Sequence, residues 1–133
     1  MHIWPPAQLA RLAQQGYLCL LATPIQQQQA QAKNEQWQHK LAKQKTSFLV
    51  SYDLLFRQIT RLLIAQGYDF STKHPHQTLK KLVLMLNYSI SEIELNQLIE
   101  CRHNVKYGYM NQASNQAQDT LAQLGQFLTS LHT

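Results

Sequence analysis

Six residues able to grip or transform a phosphate fall within one short stretch: Arg102, His103, Asn104, Lys106, Tyr107 and Tyr109. Arginine presents a planar fork of N–H donors that matches phosphate oxygens. Histidine titrates near neutral pH and can carry a proton. Asparagine and tyrosine donate hydrogen bonds, and a tyrosine ring can stack on a base. In this pattern the residue types point to an anion or nucleic-acid site. Were the site catalytic, Arg102 would steady the charge of a phosphorane while His103 or Tyr107 moved the proton. A structural alternative stands beside this. Arg102 lies seven residues from both Leu95 and Tyr109, a spacing that places all three on one helix face. An arginine on an apolar stripe needs a partner. Asp53 or a helix C-terminus would supply it, and the tyrosines would finish the core.

Other chemistries lack their residues. Four glycines, none in a glycine-rich run, leave no phosphate-cradling loop. There is no G-x-S-x-G, no H-E-x-x-H and no cluster of paired carboxylates. His74 and His76 flank Pro75 with no cysteine or acid close in sequence, a poor metal site. No metal and no cofactor is expected. Cys19 and Cys101 stand far apart among apolar neighbours, which reads as two reduced core thiols and a cytoplasmic protein. No basic region precedes the first apolar stretch, as a signal peptide would require. No apolar run approaches the ~20 residues that span a bilayer, so no membrane is expected.

The charge is uneven. Between Lys33 and Lys81 nine Lys or Arg stand against three acids, whereas the rest of the chain is slightly acidic. A basic middle attracts nucleic acid or an acidic partner, unless it is only a solvated helix surface. At 133 residues and 44% hydrophobic content, the chain suits one folded domain with its own core.

The elements that must position these groups are helical. Phe48, Tyr52, Leu55, Ile59 and Leu62 recur at steps of four and three, one face of a central helix over 48–66, capped by Thr46 or Ser47 and stopped by Gly67. Ala117, Leu121, Leu124, Leu128 and Leu131 repeat the pattern in a helix over 113–131. A helix over 75–87 carries Leu79, Leu82, Val83 and Leu86, and one capped by Ser89 or Ser91 carries the Arg102 stretch until Gly108. Thr23-Pro24 opens a glutamine-rich helix over 24–43 whose main apolar contacts are Ile25, Ala32, Trp37 and Leu41. Its polarity marks it as exposed or partner-facing. Pro5–Gly16 makes a short first helix. The apolar run Tyr17–Ala22 reads as buried helix or connector, since no second strand is apparent, and 68–76 reads as a polar loop. The expected fold is all-α, a single domain over 1–133 forming an antiparallel bundle of five or six helices.

The stretch Ser51-Tyr52-Asp53-Leu54-Leu55 through Ala65-Gln66-Gly67-Tyr68, followed by His76, resembles the HEPN (higher eukaryotes and prokaryotes nucleotide-binding) domain family. There, a helix ends in Gly-Tyr, a polar loop follows, and a histidine opens the next helix. Arg102 through Tyr109 is similar to that family's signature segment. The resemblance covers residues 46–109, about half the chain. It implies a bundle of four or five helices, often a homodimer. Many members are metal-independent RNases, several of them toxins of toxin–antitoxin pairs, and others are non-catalytic companions of nucleotidyltransferases. Arg102 matches the signature arginine, His103 the polar position and Tyr109 the trailing tyrosine. Tyr107 stands where the catalytic histidine would be, and a phenol with pKa of about 10 is a weak base at neutral pH. The resemblance therefore implies a catalytically degenerate module that binds RNA, a nucleotide, or a nucleotidyltransferase or toxin–antitoxin partner, with Arg102 as anchor. The alternatives are a metal-independent RNase using Arg102, His103 and Tyr107, and a helical interaction domain with no anion site.

Overall fold

Helix α3, Phe48–Ala65, is the element around which the others pack. Ser47 caps it by accepting the Val50 N–H, and Tyr52, Leu55, Ile59 and Leu63 turn inward at steps of three and four. It contacts α2 (Pro24–Ala42), β2 (Tyr68–Phe70), α5 (Glu92–Lys106) and α6 (Asn115–Ser130). Two further helices, α1 (Pro6–Gln14) and α4 (Pro75–Leu86), make six among the described residues. The computed structural model describes residues 3–86 and 89–131. The expected helix end at Asn87 lies outside them. Among the described residues the chain is an all-α bundle with one small two-stranded sheet.

That sheet corrects two expectations. Residues 17–22 contain strand β1 (Leu18–Leu20), and the expected loop 68–76 contains its partner β2. They pair antiparallel, with Leu18 opposite Phe70 and Leu20 opposite Tyr68. Leu21 N–H donating to Gly67 carbonyl and Ser71 N–H donating to Tyr17 carbonyl extend the ladder at its two ends. Gly67, at φ 91°, makes the reversal from α3 into β2. The second strand was invisible because Tyr68-Asp69-Phe70 is too short to show a period of its own. Cys19 is exposed on β1 and is no core thiol, whereas Cys101 is buried.

Helix α2 is polar for a reason the sequence does not display. Its amide side chains hydrogen-bond to backbone carbonyls of α3: Gln27 Nε2 to Ile64 (2.8 Å), Gln31 Nε2 to Arg61 (3.3 Å) and Asn34 Nδ2 to Arg57 (3.0 Å). Ascending positions on α2 meet descending ones on α3, so the two helices run antiparallel. Asn34 is buried, as is Leu41, whereas Ile25 and Trp37, expected as apolar contacts, are exposed. A ladder of amides replaces most of the usual apolar seam.

Helix α5 begins with a capping box between Ser91 and Glu94. It ends at Lys106, where Gly108 takes φ 79° and the Asn104 carbonyl accepts the N–H groups of Tyr109 (2.8 Å) and Met110 (3.1 Å). Tyr109 therefore leaves the helix and is 74% exposed, so the expected shared face of Leu95, Arg102 and Tyr109 does not form. The core draws instead on Leu95, Leu98 and Cys101 from α5, with residues of α1, β1, α3, α4 and α6. Among the described residues no helix is long and apolar enough to cross a membrane.

Candidate anion-binding site

A cleft of about 550 Å³ opens between α2, α3, the β2–α4 connection and α5. Arg102 reaches it from α5, one residue beyond the buried Cys101, so its helix position is half inward. Its side chain is 14% exposed, and Nη2 lies 3.4 Å from Asp53 Oδ1 on α3. That is long for a charge-assisted hydrogen bond and involves a single nitrogen. The buried Nε has no hydrogen-bond partner among the described residues. The guanidinium carbon lies 5.2 Å from the centre of the Tyr52 ring. An aromatic face steadies a guanidinium without consuming its N–H donors. Arg102 is thus placed but not saturated.

His76 enters the same cleft from the first turn of α4. Its Nδ1 is 3.0 Å from the hydroxyl of buried Tyr52. Burial, then the neighbouring Arg102 charge, pushes its pKa down to about 4, with Lys106 adding to the shift and Asp53 opposing it. The imidazole is neutral at pH 7. Burial likewise pushes the Tyr52 phenol well above its ordinary value, so that hydroxyl keeps its hydrogen. His74, just before α4, adopts φ 46°, a left-handed conformation uncommon outside glycine, as the chain turns to deliver His76.

The other end of the cleft holds Arg57. Its guanidinium lies 5.2 Å from the Phe56 ring centre and 5.7 Å from that of Trp37, with one 3.5 Å contact from Nη1 to Asn34 Oδ1. Burial lowers its pKa, while Asp69 and Asp53 pull the other way. Burial also raises the Asp69 carboxyl, an effect opposed by the Phe70 N–H and by Arg57 and Lys33. Lys33 and Lys106 complete the cationic lining.

The six residues singled out in the sequence divide. Arg102 and Lys106 line the cleft. His103, Tyr107 and Tyr109 form an aromatic cluster on the outer surface, with His103 ring centres 4.7 Å from Tyr107 and 6.2 Å from Tyr109. Lys106 Nζ lies 5.6 Å from the Tyr107 ring centre and joins the two regions. Asn104 is outside the cleft lining, and its carbonyl closes the helix end. His103 follows Arg102 by ~100° around the helix, which is why they separate. The residues that sequence reasoning did not place at the site are His76, Tyr52, Arg57 and Trp37. Asp53 appeared there only as an internal partner for Arg102. One local signal existed: Asp53 and Arg57 are four apart on a single helix face.

A larger cavity of about 770 Å³ lies between the start of α3, the α5–α6 link and α6. No charged side chain lines it. It offers nothing to neutralise an anion, so the smaller cleft is the candidate site. No group of three or more His, Cys, Asp or Glu that could hold a metal ion occurs among the described residues. We found no match to a protein-family model, a curated protein or a solved structure.

Proposed function

We propose that this chain is a HEPN-like helical binding module that receives a phosphate-bearing ligand, RNA or a nucleotide, in the Arg102 cleft. The observation that carries the reading is the state of Arg102: a guanidinium lining an open cleft, held on Tyr52, with one loose contact to Asp53 and a partnerless Nε. A charge locked for structure alone would use its fork in full. The exposed rings of Tyr107 and Tyr109 beyond Lys106 give single-stranded RNA a stacking surface. A homodimer that joins two such clefts, and a nucleotidyltransferase or toxin–antitoxin partner in the cytoplasm, belong to the same proposal.

The second reading is a metal-independent RNase. The presence of His76 in the Arg102 cleft favours it, since this imidazole could take the proton-transfer role that the sequence leaves to His103 or Tyr107. Its pKa of about 4 makes it a weak base at pH 7, which is why binding stands first. RNA incubated with the protein in EDTA separates the two. We expect binding without cleavage, a steep loss of affinity as salt rises, and weakened binding by Arg102→Ala. Cleavage by the wild type that Arg102→Ala and His76→Ala both lose would replace binding with catalysis. Neither binding nor cleavage would leave a helical interaction domain.

A further inference from the structure

The cleft holds two arginines in the same unusual state. Arg57 on α3 and Arg102 on α5 both lean on aromatic rings, and neither fork is filled by a carboxylate. Asp53 touches Arg102 and sits one helical turn before Arg57, whose charge is favoured first by Asp69 and then by Asp53. Lys33 and Lys106 add two more cations, and Asp69 is the other acid of the lining. Four cations face two carboxylates, a surplus of two positive charges in a partly desolvated space.

We infer that Arg57 and Arg102 form a two-point clamp for a diphosphate group, one phosphate at each guanidinium. The inference rests on the proposed anion-binding function and narrows its ligand class. Two features select a diphosphate. Asp53 touches Arg102 and sits one helical turn from Arg57, so both guanidinium groups border the same stretch of α3 in one cleft, where phosphates joined through a single oxygen can reach both. The double charge surplus matches more than one anionic oxygen pair. Stacking on Trp37 and Phe56 consumes none of the Arg57 N–H groups, which make one 3.5 Å contact to Asn34, and stacking on Tyr52 likewise leaves Arg102 with one 3.4 Å contact to Asp53.

Calorimetric titration of the full chain with orthophosphate, pyrophosphate and ADP at fixed ionic strength tests this. Pyrophosphate should bind about tenfold more tightly than orthophosphate, the effect of one added charge-assisted contact. Arg57→Met keeps the apolar stem against the rings and removes the fork. It should erase the pyrophosphate advantage, bringing pyrophosphate affinity down to that of orthophosphate for the same variant. Arg57→Lys should fall between, and serves if the methionine variant fails to fold by circular dichroism. Trp37 fluorescence should change with pyrophosphate in the wild type and stay constant in Arg57→Met, with Trp37→Phe as the control. Tighter binding of ADP assigns a nucleoside diphosphate, and equal binding assigns the inorganic ion. Equal affinity for orthophosphate and pyrophosphate, or a preference that survives Arg57→Met, overturns the clamp. In that case Arg102-dependent RNA binding would still uphold the broader function, whereas no anion binding at all would end both.

Discussion

The Tyr52 hydroxyl lies 3.0 Å from His76 Nδ1, joining α3 to the first turn of α4, from which His76 lines the cationic cleft. Tyr52 is fully buried, and its ring carries Arg102. One tyrosine therefore sets the position of both the imidazole and the guanidinium.

His76 gives stability an acid-side slope. Its folded pKa of about 4 is below the unfolded 6.5, so between these values the unfolded chain takes up a proton that the folded chain refuses. The contribution is complete above pH 6.5 and is lost as pH falls toward 4. The groups acting on it are Arg102 and Lys106 from α5 and Asp53 from α3. Urea unfolding at pH 7.5, 6 and 5 should show a steeper loss for the wild type than for His76→Gln. Parallel slopes would mean that His76 titrates normally.

Asp53→Asn should raise anion affinity by about two- to fivefold at low salt, because a partly exposed ion pair is worth up to ~1 kcal/mol and its removal frees the Arg102 fork. The gain should shrink as ionic strength rises. A loss of affinity measured by the same phosphate titration would show that Asp53 positions Arg102 rather than competing for it.

The N-terminal segment is clasped rather than loosely attached. Gln66 Oε1 accepts the backbone N–H groups of Ile3 and Trp4, Gln66 Nε2 donates to the Trp4 carbonyl, and the buried Trp4 indole donates to Leu82 carbonyl. Trp4→Ala should cost about 3–5 kcal/mol through lost packing. Gln66→Ala should cost about 1–3 kcal/mol by stranding backbone donors. Denaturant midpoints check both, and a neutral Gln66→Ala would remove the clasp from the account.

Thiol labelling under native conditions should modify one cysteine, Cys19, at once and reach Cys101 only on unfolding, since Cys101 is 6% exposed. The Cys19→Ser variant should then show no fast phase. A fast-reacting Cys101 would indicate that α5 is less securely packed than its contacts suggest.

The helices were legible from the chain because their causes are local. Ser47 and Ser91 cap the helices that follow them, and the 4-and-3 apolar spacing of α3 and α6 fixes which faces turn inward. Arg102 was legible as well, since a charged fork beside an inward helix face is conspicuous in any register. What lay beyond reach was every feature made by two distant segments. Strand β1 exists only because Tyr68-Asp69-Phe70 offers it an edge. The polarity of α2 makes sense only against α3 carbonyls some 23 to 37 residues away.

The site divides along the same line. By itself the sequence determined that a helix would carry Arg102 and Lys106, and that His103 would point elsewhere, because side-chain direction follows from the 3.6-residue turn. Only the tertiary structure decided that His76, Asp53 and Arg57 would gather around Arg102 and that Tyr107 and Tyr109 would stay outside. The physical reason is that periodicity gives each helix a face but not a neighbour. The neighbours were chosen by packing α3 against four elements at once, which brought together groups as far apart in sequence as Asp53 and Arg102.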